Sequence, residues 1–101
     1  VSAGFDGHFS DPLTTITLDT QGYHVLTRKL SAMAERLCDG RMMFVLEGGY
    51  DPLGLADNIQ ACLAAMAGDG DFPNHYGEGP GVRPDINALI EQTLTIHRLQ
   101  E

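Results

Sequence analysis

The segment VSAGFDGH (residues 1–8) is an apolar run that leads directly into an acid, a glycine and a histidine, and it sets the expected fold. The small and apolar residues from Val1 to Phe5 predict a short buried strand, and Asp6 stands where that strand ends. In open parallel sheets, ligands bind beyond the carboxyl ends of the strands. The stretch therefore predicts a carboxylate that is aimed at a pocket.

The spacing of Asp6 and His8 allows two interpretations. In extended backbone, residues two apart point the same way, and a carboxylate and an imidazole are both metal ligands in proteins. The spacing by itself is a weak signal. The alternative is a strand that stops at a turn, with Asp6 as a capping residue and His8 on the surface. On these residues alone both interpretations stay open.

Composition limits the classes of partner. The 101 residues suffice for one small globular domain, with 43% hydrophobic residues and a formal net charge of −8. An acidic chain is a poor match for a nucleic-acid backbone or an anionic membrane surface. No apolar run approaches the ~18 residues of a membrane span, and no signal peptide opens the chain. We therefore expect no nucleic acid and no membrane as partner, and the apolar start without methionine suggests that upstream sequence is missing.

The cysteines and the scattered histidines are predicted to be structural. Cys38 and Cys62 each fall at a helical position among aliphatic residues, which predicts free buried thiols and fits a reducing cytoplasm. We therefore expect a cytoplasmic protein. His24, His75 and His97 stand on a helix face, in a connection and at a helix end, and we predict that they are ordinary surface residues.

The first helix is predicted to follow Asp19 or Thr20, either of which can cap it. Apolar residues then recur at steps of three and four, which indicates one inward face. That predicted face consists of Tyr23, Leu26, Leu30, Met33 and Leu37. Asp39-Gly40 ends the helix, and Gly40 suits the left-handed position after its last turn.

A second strand and a second helix follow. The continuous apolar run over residues 42–46 predicts a strand that is covered on both faces, as in parallel sheets packed by helices. It ends in a loop with two glycines, and Pro52 then suits the first turn of a helix that continues to Ala67. Its predicted inward residues are Leu55, Ile59, Leu63 and Met66. Gly68 is its predicted stop.

The order of elements predicts an α/β fold. We divide the chain into a βαβα core (1–67), a surface linker (68–83) and a terminal helix (84–101) that Pro84 opens. The predicted inward side of that last helix is Ile86, Leu89, Ile90, Thr93, Ile96 and Leu99. Two strands joined through a helix predict a parallel sheet with a βαβ crossover and flanking helices. Two strands cannot cover the apolar faces of three helices. We therefore expect the sheet to continue into absent sequence or into another copy of the chain.

Motifs at both strand ends resemble those of a known family. The matching residues are Ser2-Ala3-Gly4-Phe5-Asp6, His8, Asp11-Pro12-Leu13, Gly22-Tyr23, Leu46-Glu47-Gly48-Gly49-Tyr50 and Pro84-Asp85-Ile86. The chain resembles the carboxyl-terminal part of zinc-dependent histone deacetylases, a group that includes acetylpolyamine amidohydrolases and acetoin-utilisation proteins. The motifs are more similar to those of class II and bacterial members than to those of class I members. The resemblance covers nearly the whole chain and implies part of an arginase-like three-layer α/β/α fold.

The resemblance implies a role for each matched site residue. Asp6 takes the place of one of about three protein ligands to zinc (Zn²⁺). Tyr50 takes the place of the phenol that donates to the amide carbonyl oxygen, and Gly48 and Gly49 shape the wall of the substrate tunnel. The family's counterpart of His8 is not a zinc ligand, so the resemblance decides against a ligand pair at Asp6 and His8.

The resemblance also implies which parts are missing. The family's histidine pair and its remaining zinc ligands stand upstream of these motifs and have no match here. The implied function is part of a zinc-dependent amidohydrolase that removes acetyl or acyl groups from lysine or polyamine amines. We expect the isolated chain to be inactive, to bind zinc weakly or not at all, and to self-associate or pair with upstream sequence. The alternative is a non-catalytic, self-associating α/β binding module of the same descent.

Overall fold

The chain folds around a short parallel sheet with helices, and its computed structural model describes residues 1–81 and 84–99. In chain order the elements are β1 (Ser2–Ala3), α1 (Thr20–Cys38), β2 (Val45–Leu46), α2 (Pro52–Ala67) and α3 (Asn87–His97). β1 and β2 pair in parallel, with Ser2 opposite Val45 and Ala3 opposite Leu46. The predicted α/β class with a βαβ connection is therefore confirmed.

The two strands are shorter than predicted, but the backbone pairing between them is longer than the strands. It begins where the Val1 amine donates to the Met43 carbonyl at 2.7 Å. It ends where the Phe5 N–H donates to the Gly48 carbonyl at 2.8 Å. The strand predicted over 42–46 is too long. Its first residues have only Val1 opposite them, so they lack a partner strand.

The sheet is covered on one face. Ala3 and Phe5 pack with Tyr23 of α1 and Cys62 of α2 in one buried cluster. Val45, which lies opposite Ser2 on the other face, keeps 51% of its surface exposed. The expectation of a strand covered on both faces is wrong for this chain, because within the described residues both packed helices contribute to the same side.

Helix α1 begins and ends close to its predicted bounds but buries a different face. The Asp19 carboxylate caps it by accepting from the Gly22 N–H, and Asp39 already takes the left-handed conformation, with φ 54°. Its buried residues are Thr20, Tyr23, His24, Thr27 and Ala34. Of the predicted apolar face, Tyr23 is buried and Leu30 is half-buried, whereas the prediction is wrong for Leu26, Met33 and Leu37, which are exposed.

Helix α2 has the predicted bounds, with Asp51 as its cap and Gly68 in the left-handed conformation after its end. The buried side comprises Gly54, Asp57, Asn58, Ala61, Cys62 and Ala65, whereas the predicted Leu63 and Met66 are exposed. The physical reason is close packing of α1 on α2 through small residues. At the contact the Thr27 hydroxyl donates to the Cys62 sulfur at 3.1 Å.

The connection after α2 lies on the packed helices. His24 donates from Nε2 to the Asp69 carbonyl at 2.8 Å and stacks on Phe72 with ring centroids 4.6 Å apart. His75 donates from both its backbone N–H and its ring to the buried Asp57 carboxylate, at 2.7 and 2.8 Å. The prediction that these histidines are ordinary surface residues is wrong for the buried His24. His75 keeps an exposed ring but has a specific partner, while His97 is exposed as predicted.

Helix α3 begins at Asn87 rather than at Pro84. The Asp85 carboxylate accepts from the Asn87 N–H at 3.0 Å, a local turn that competes with helical backbone over the preceding residues. None of its residues is buried, so the predicted inward side is exposed in this chain. Residues 82–83 of the predicted linker and residues 100–101 of the predicted terminal helix lie outside the described residues.

Both cysteines are free, as predicted, but only Cys62 is buried, while Cys38 is half-buried at the end of α1. Cys38 lies at the open end of the helix, where its thiol donates to the Arg41 carbonyl at 3.1 Å. Over the part of the chain that the structure describes, no helix combines the length and the apolar character that a bilayer crossing requires.

Candidate active site

The site forms where the ends of β1 and β2 lie side by side. The Asp6 carboxyl group lies directly against Gly48, so that a Cβ added at Gly48 would be 2.8 Å from its Oδ1 atom. A Cβ added at Gly4 would be 3.0 Å from the same oxygen. A side chain at either position would therefore displace the Asp6 carboxylate. This gives a steric reason for the glycine in each of the two motifs.

The Asp6 carboxylate is half-buried, and within residues 1–81 and 84–99 no donor hydrogen bonds to it. Its backbone carbonyl, by contrast, accepts from the Thr14 hydroxyl, which holds the loop after the strand. The chain turns at Asp6-Gly7, where the His8 N–H donates to the Phe5 carbonyl at 3.3 Å. Asp6 and His8 are therefore not in extended backbone and do not form a ligand pair.

The Gly48-Gly49 pair lets β2 turn away beside Asp6. Gly49 has φ +136°, and a Cβ there would approach Leu55 Cδ1 to 2.9 Å and Phe5 Cβ to 3.1 Å. Both the conformation and the space therefore require glycine at this position. Tyr50 follows immediately, and its side chain is 54% exposed.

Asp11 joins the two strand-end loops through a carboxylate that is only 7% exposed. Its Oδ1 accepts from the Leu13 N–H at 2.8 Å, and its Oδ2 accepts from the Tyr50 N–H at 2.9 Å. Pro12 keeps Asp11 out of helical backbone. The loop that follows Asp6 thus holds the backbone of Tyr50 directly.

A second connection runs from Asp51 through Ser10 to His8. The Ser10 hydroxyl donates to Asp51 Oδ2 at 2.6 Å, which is the main reason that the pKa of Asp51 lies below its ordinary value. His8 is 1% exposed, and burial lowers its pKa. The predicted alternative of a surface His8 is therefore wrong.

The partners of His8 connect three parts of the fold. Its Nδ1 atom lies within hydrogen-bond distance of the Ser10 hydroxyl, at 2.8 Å, and of the Ser10 backbone N–H, at 3.1 Å. Its Nε2 atom lies 3.3 Å from the Thr20 hydroxyl, which donates to Asn58 Oδ1 at 2.8 Å. The ring thus links the loop after β1 to α1 and α2, and it stacks on Phe9 with ring centroids 4.6 Å apart.

The phenol of Tyr23 lies beneath the turn at Gly7. A Cβ added at Gly7 would be 2.9 Å from its hydroxyl oxygen. Burial is the largest cause that raises its pKa to about 12, and the nearby Asp6 charge adds to the rise. Tyr23 therefore stays neutral at physiological pH and supports the turn that presents Asp6.

A zinc ion fits Asp6 as a ligand but needs more than this chain's described residues offer. The free carboxylate in a glycine cradle is a suitable oxygen donor for zinc. Zinc sites use about three or four protein ligands. Among residues 1–81 and 84–99 there is no group of three or more His, Cys, Asp or Glu side chains that could hold a metal ion.

The structure places each predicted site residue at this edge of the sheet and adds residues that sequence reasoning missed. Asp6 and Gly48 are in contact, Gly49 packs beside Phe5, and Tyr50 extends from the same loop. Asp11, Ser10, Asp51, Thr20 and Asn58 had no role in the predicted site. Asp11 stands inside a quoted motif, but its partner lies 39 residues away in sequence and no local pattern reveals it.

Comparison with known proteins gives one family. The family model described as the histone deacetylase domain matches residues 1–66, which include both strand ends. A probable deacetylase from Archaeoglobus fulgidus is 49% identical over 69 residues, covering 67% of this chain and 19% of that protein. Histone deacetylase 14, chloroplastic, from Arabidopsis thaliana is 33% identical over 104 residues, covering 98% of this chain and 24% of that protein.

A solved structure agrees with these relatives. The crystal structure of the HDA15 HD domain superposes with a TM-score of 0.61 at 28% identity, over 94% of this chain and 24% of that chain. The chain thus spans 19% and 24% of the length of the two curated relatives described above.

Proposed function

The chain belongs to the histone deacetylase domain family, and we propose that it supplies Asp6 and Tyr50 to a zinc-dependent site that hydrolyses the amide of an acylated amine. The observation that carries the proposal is the placement of the Asp6 carboxylate. It lies against Gly48 with no hydrogen-bond donor of the described residues on it, in the loop pair that also presents Tyr50. Acetylated or acylated lysine and polyamines are the substrate class that we propose.

Asp6 would hold the metal. Thr14 holds its backbone carbonyl, and its carboxyl group lies against Gly4 and Gly48 with both oxygens free of donors from the described residues. When bound, zinc acts as a Lewis acid on the amide carbonyl. Since one carboxylate does not complete a zinc site, we propose that further ligands and the general base come from polypeptide that corresponds to the rest of a family domain.

Tyr50 would act on the substrate oxygen. A phenol O–H that donates to the carbonyl oxygen stabilises the negative charge that develops there in the tetrahedral intermediate. The exposed side chain and the fixed backbone of Tyr50 suit this task, because the donor is accessible while its main chain is held by Asp11. Gly48, against Asp6, and Gly49, against Phe5, would form part of the tunnel wall beside the substrate.

The non-catalytic alternative gains no support from membership of this family.

We propose a reducing compartment such as the cytoplasm, and the support is that both thiols are free. Some relatives bear names that place them in the chloroplast. Tagged full-length protein that localises to an organelle in its source cells would contradict the cytoplasmic proposal.

The proposed function is tested in a chimera. This chain replaces the matching segment of the Archaeoglobus fulgidus probable deacetylase, to which it is 49% identical. We expect the purified chimera to release acetate from an acetyl-lysine peptide when loaded with zinc. A folded, zinc-loaded chimera with no turnover on acetyl-lysine or acetylpolyamine substrates would contradict the proposal.

The isolated chain provides the complementary measurement. We expect it to show no deacylase turnover with zinc present, because the resemblance assigns it one zinc ligand and places the base elsewhere. Turnover that disappears in Asp6→Ala would contradict this expectation and would indicate a site assembled between copies of the chain.

A further inference from the structure

The side chain of Tyr50 is held in place mainly through its backbone. The side chain is 54% exposed, so packing restrains it little. The two residues before it are glycines, and Gly49 has φ +136°, a conformation open to glycine and to few other residues. A loop of this kind needs a restraint from outside itself if the phenol is to occupy one position.

Asp11 provides that restraint with both of its carboxylate oxygens. One oxygen closes a local turn by accepting from Leu13, and the other accepts from the Tyr50 N–H at 2.9 Å. The Asp11 N–H in turn donates to the His8 carbonyl at 2.9 Å. The carboxylate is thereby fixed to the loop that carries Asp6, and it holds the loop that carries Tyr50.

We propose that Asp11 is a positioning residue, which sets the place of Tyr50 relative to Asp6 by holding the Tyr50 N–H with a buried carboxylate. The proposal deepens the proposed function and rests on it for the roles of Asp6 and Tyr50. Asp11 itself would touch neither the metal nor the substrate. The bond from Ser10 to Asp51 is a second connection between the same loops, from the residue before Asp11 to the residue after Tyr50.

The chemistry of the contact makes asparagine a sharp test. Both oxygens of Asp11 face N–H donors, so an isosteric amide must turn its NH₂ group toward one of them. The Leu13 contact is local and closes the turn after Asp11, so we expect Asn to keep its oxygen there. The NH₂ group of Asp11→Asn would then face the Tyr50 N–H and break that hydrogen bond with almost no change in volume.

Amide hydrogen exchange on the full 101-residue chain tests the contact without any activity. We expect Asp11→Asn to speed exchange of the Tyr50 amide by at least about tenfold, as expected for loss of a hydrogen bond to a charged group. The Glu47 amide, which donates to the Ala3 carbonyl at 3.0 Å, is the internal reference and should change by less than about twofold. Asp71→Asn, at an exposed position, is the matched control and should change neither amide.

Two exchange results would overturn the proposal. Unchanged exchange at Tyr50 in Asp11→Asn would show that the carboxylate does not hold it. Equal acceleration at Tyr50 and Glu47 would show that Asp11 only contributes to global stability.

Kinetics in the chimera then separate positioning from general structure. We expect Asp11→Asn to lower kcat by about tenfold, the effect of one misplaced donor, with KM and zinc content nearly unchanged. In a Tyr50→Phe background the same substitution should lower kcat by less than about twofold, because it acts through the phenol. If the two substitutions instead lower kcat by independent factors that multiply in the double variant, the proposal is overturned. An inactive parent chimera would contradict the proposed function, and the exchange result would then decide the role of Asp11.

Discussion

At the scale of single residues, contact between a carboxylate and a glycine defines the site. Asp6 and Gly48 follow different strands and meet because the Phe5 N–H donates to the Gly48 carbonyl between the two strand ends. The family resemblance assigns Gly48 to the wall of the substrate tunnel. The structure adds a steric reason for glycine there, since a Cβ at Gly48 would lie 2.8 Å from the Asp6 carboxyl group.

This contact predicts a specific loss in Gly48→Ala. The added methyl group would lie 2.8 Å from the Asp6 carboxyl carbon, so either the carboxylate or the loop must move. We expect the free energy of unfolding to fall by about 1–3 kcal/mol, the usual cost of overpacking. Urea unfolding of the chain, followed by circular dichroism, measures it.

Gly70→Ala is the matched control for that experiment. Nothing lies within 4 Å of a Cβ at Gly70, and its backbone is not left-handed. We expect a change within about 0.5 kcal/mol, as for other surface substitutions. Equal effects in the two variants would contradict the steric account of Gly48.

The sequence indicates site residues only where they belong to a specific motif or make local contacts. Asp6, Gly48, Gly49 and Tyr50 were predicted through the family resemblance. The bond from Asp11 to Tyr50 and the bond from Ser10 to Asp51 span 39 and 41 residues. Such contacts depend on how the loops meet in three dimensions, and no periodicity or spacing encodes them.

At the scale of elements, the ends of α1 and α2 were predictable, whereas their buried faces were predicted only in part, at Tyr23, Leu55 and Ile59. Asp19, Asp51 and Gly68 act through hydrogen bonds and backbone conformation within one turn of the helix, so local sequence determines them. The buried faces depend on close packing of α1 on α2 through Ala34, Thr27 and Cys62. A rule that places the largest apolar residues inward fails at such a contact.

The cap of α2 predicts a pH dependence of stability. Asp51 accepts from Ser10 and from the Gly54 N–H, and these bonds lower its pKa in the folded state. A lowered folded-state pKa means that ionised Asp51 stabilises the fold above the unfolded-state pKa. That contribution is lost as the pH falls through the folded-state pKa.

The corresponding experiment compares Asp51→Asn with the parent chain. We expect the parent to have the larger free energy of unfolding near neutral pH and the difference to shrink as the pH falls below about 4, where the carboxylate of the unfolded chain begins to protonate. Asp71→Asn serves as the control at an exposed site. A difference that is constant or grows on acidification would contradict the assigned hydrogen bonds.

At the scale of the whole molecule, large apolar side chains remain exposed on the sheet and beside it. Met43, Val45, Leu46 and Leu63 are each more than half exposed, and the outer edges of β1 and β2 are unpaired within the described residues. Exposed apolar patches and open strand edges favour association. A sequence pattern predicts such residues to be inside, because it does not show which surface covers them.

We therefore expect the isolated chain to form dimers or larger species. Light scattering at high micromolar concentration measures this, and Val45→Lys, which places a charge on the exposed strand, should shift the distribution toward monomer. The matched control is Lys29→Glu on the exposed side of α1, which should leave the distribution unchanged. A stable monomer of the parent chain at that concentration would contradict the prediction.

The most direct test of the central claim measures zinc content and turnover together in the chimera, for Asp6→Ala and for Tyr50→Phe. As a ligand, Asp6 should be needed for the metal, so Asp6→Ala is predicted to lose both zinc and activity. Tyr50 would touch only the substrate oxygen, so Tyr50→Phe is predicted to keep its zinc and to lower kcat by roughly 10²–10³. Equal loss of zinc in the two variants, or a fully active Tyr50→Phe, would contradict the roles assigned to these residues.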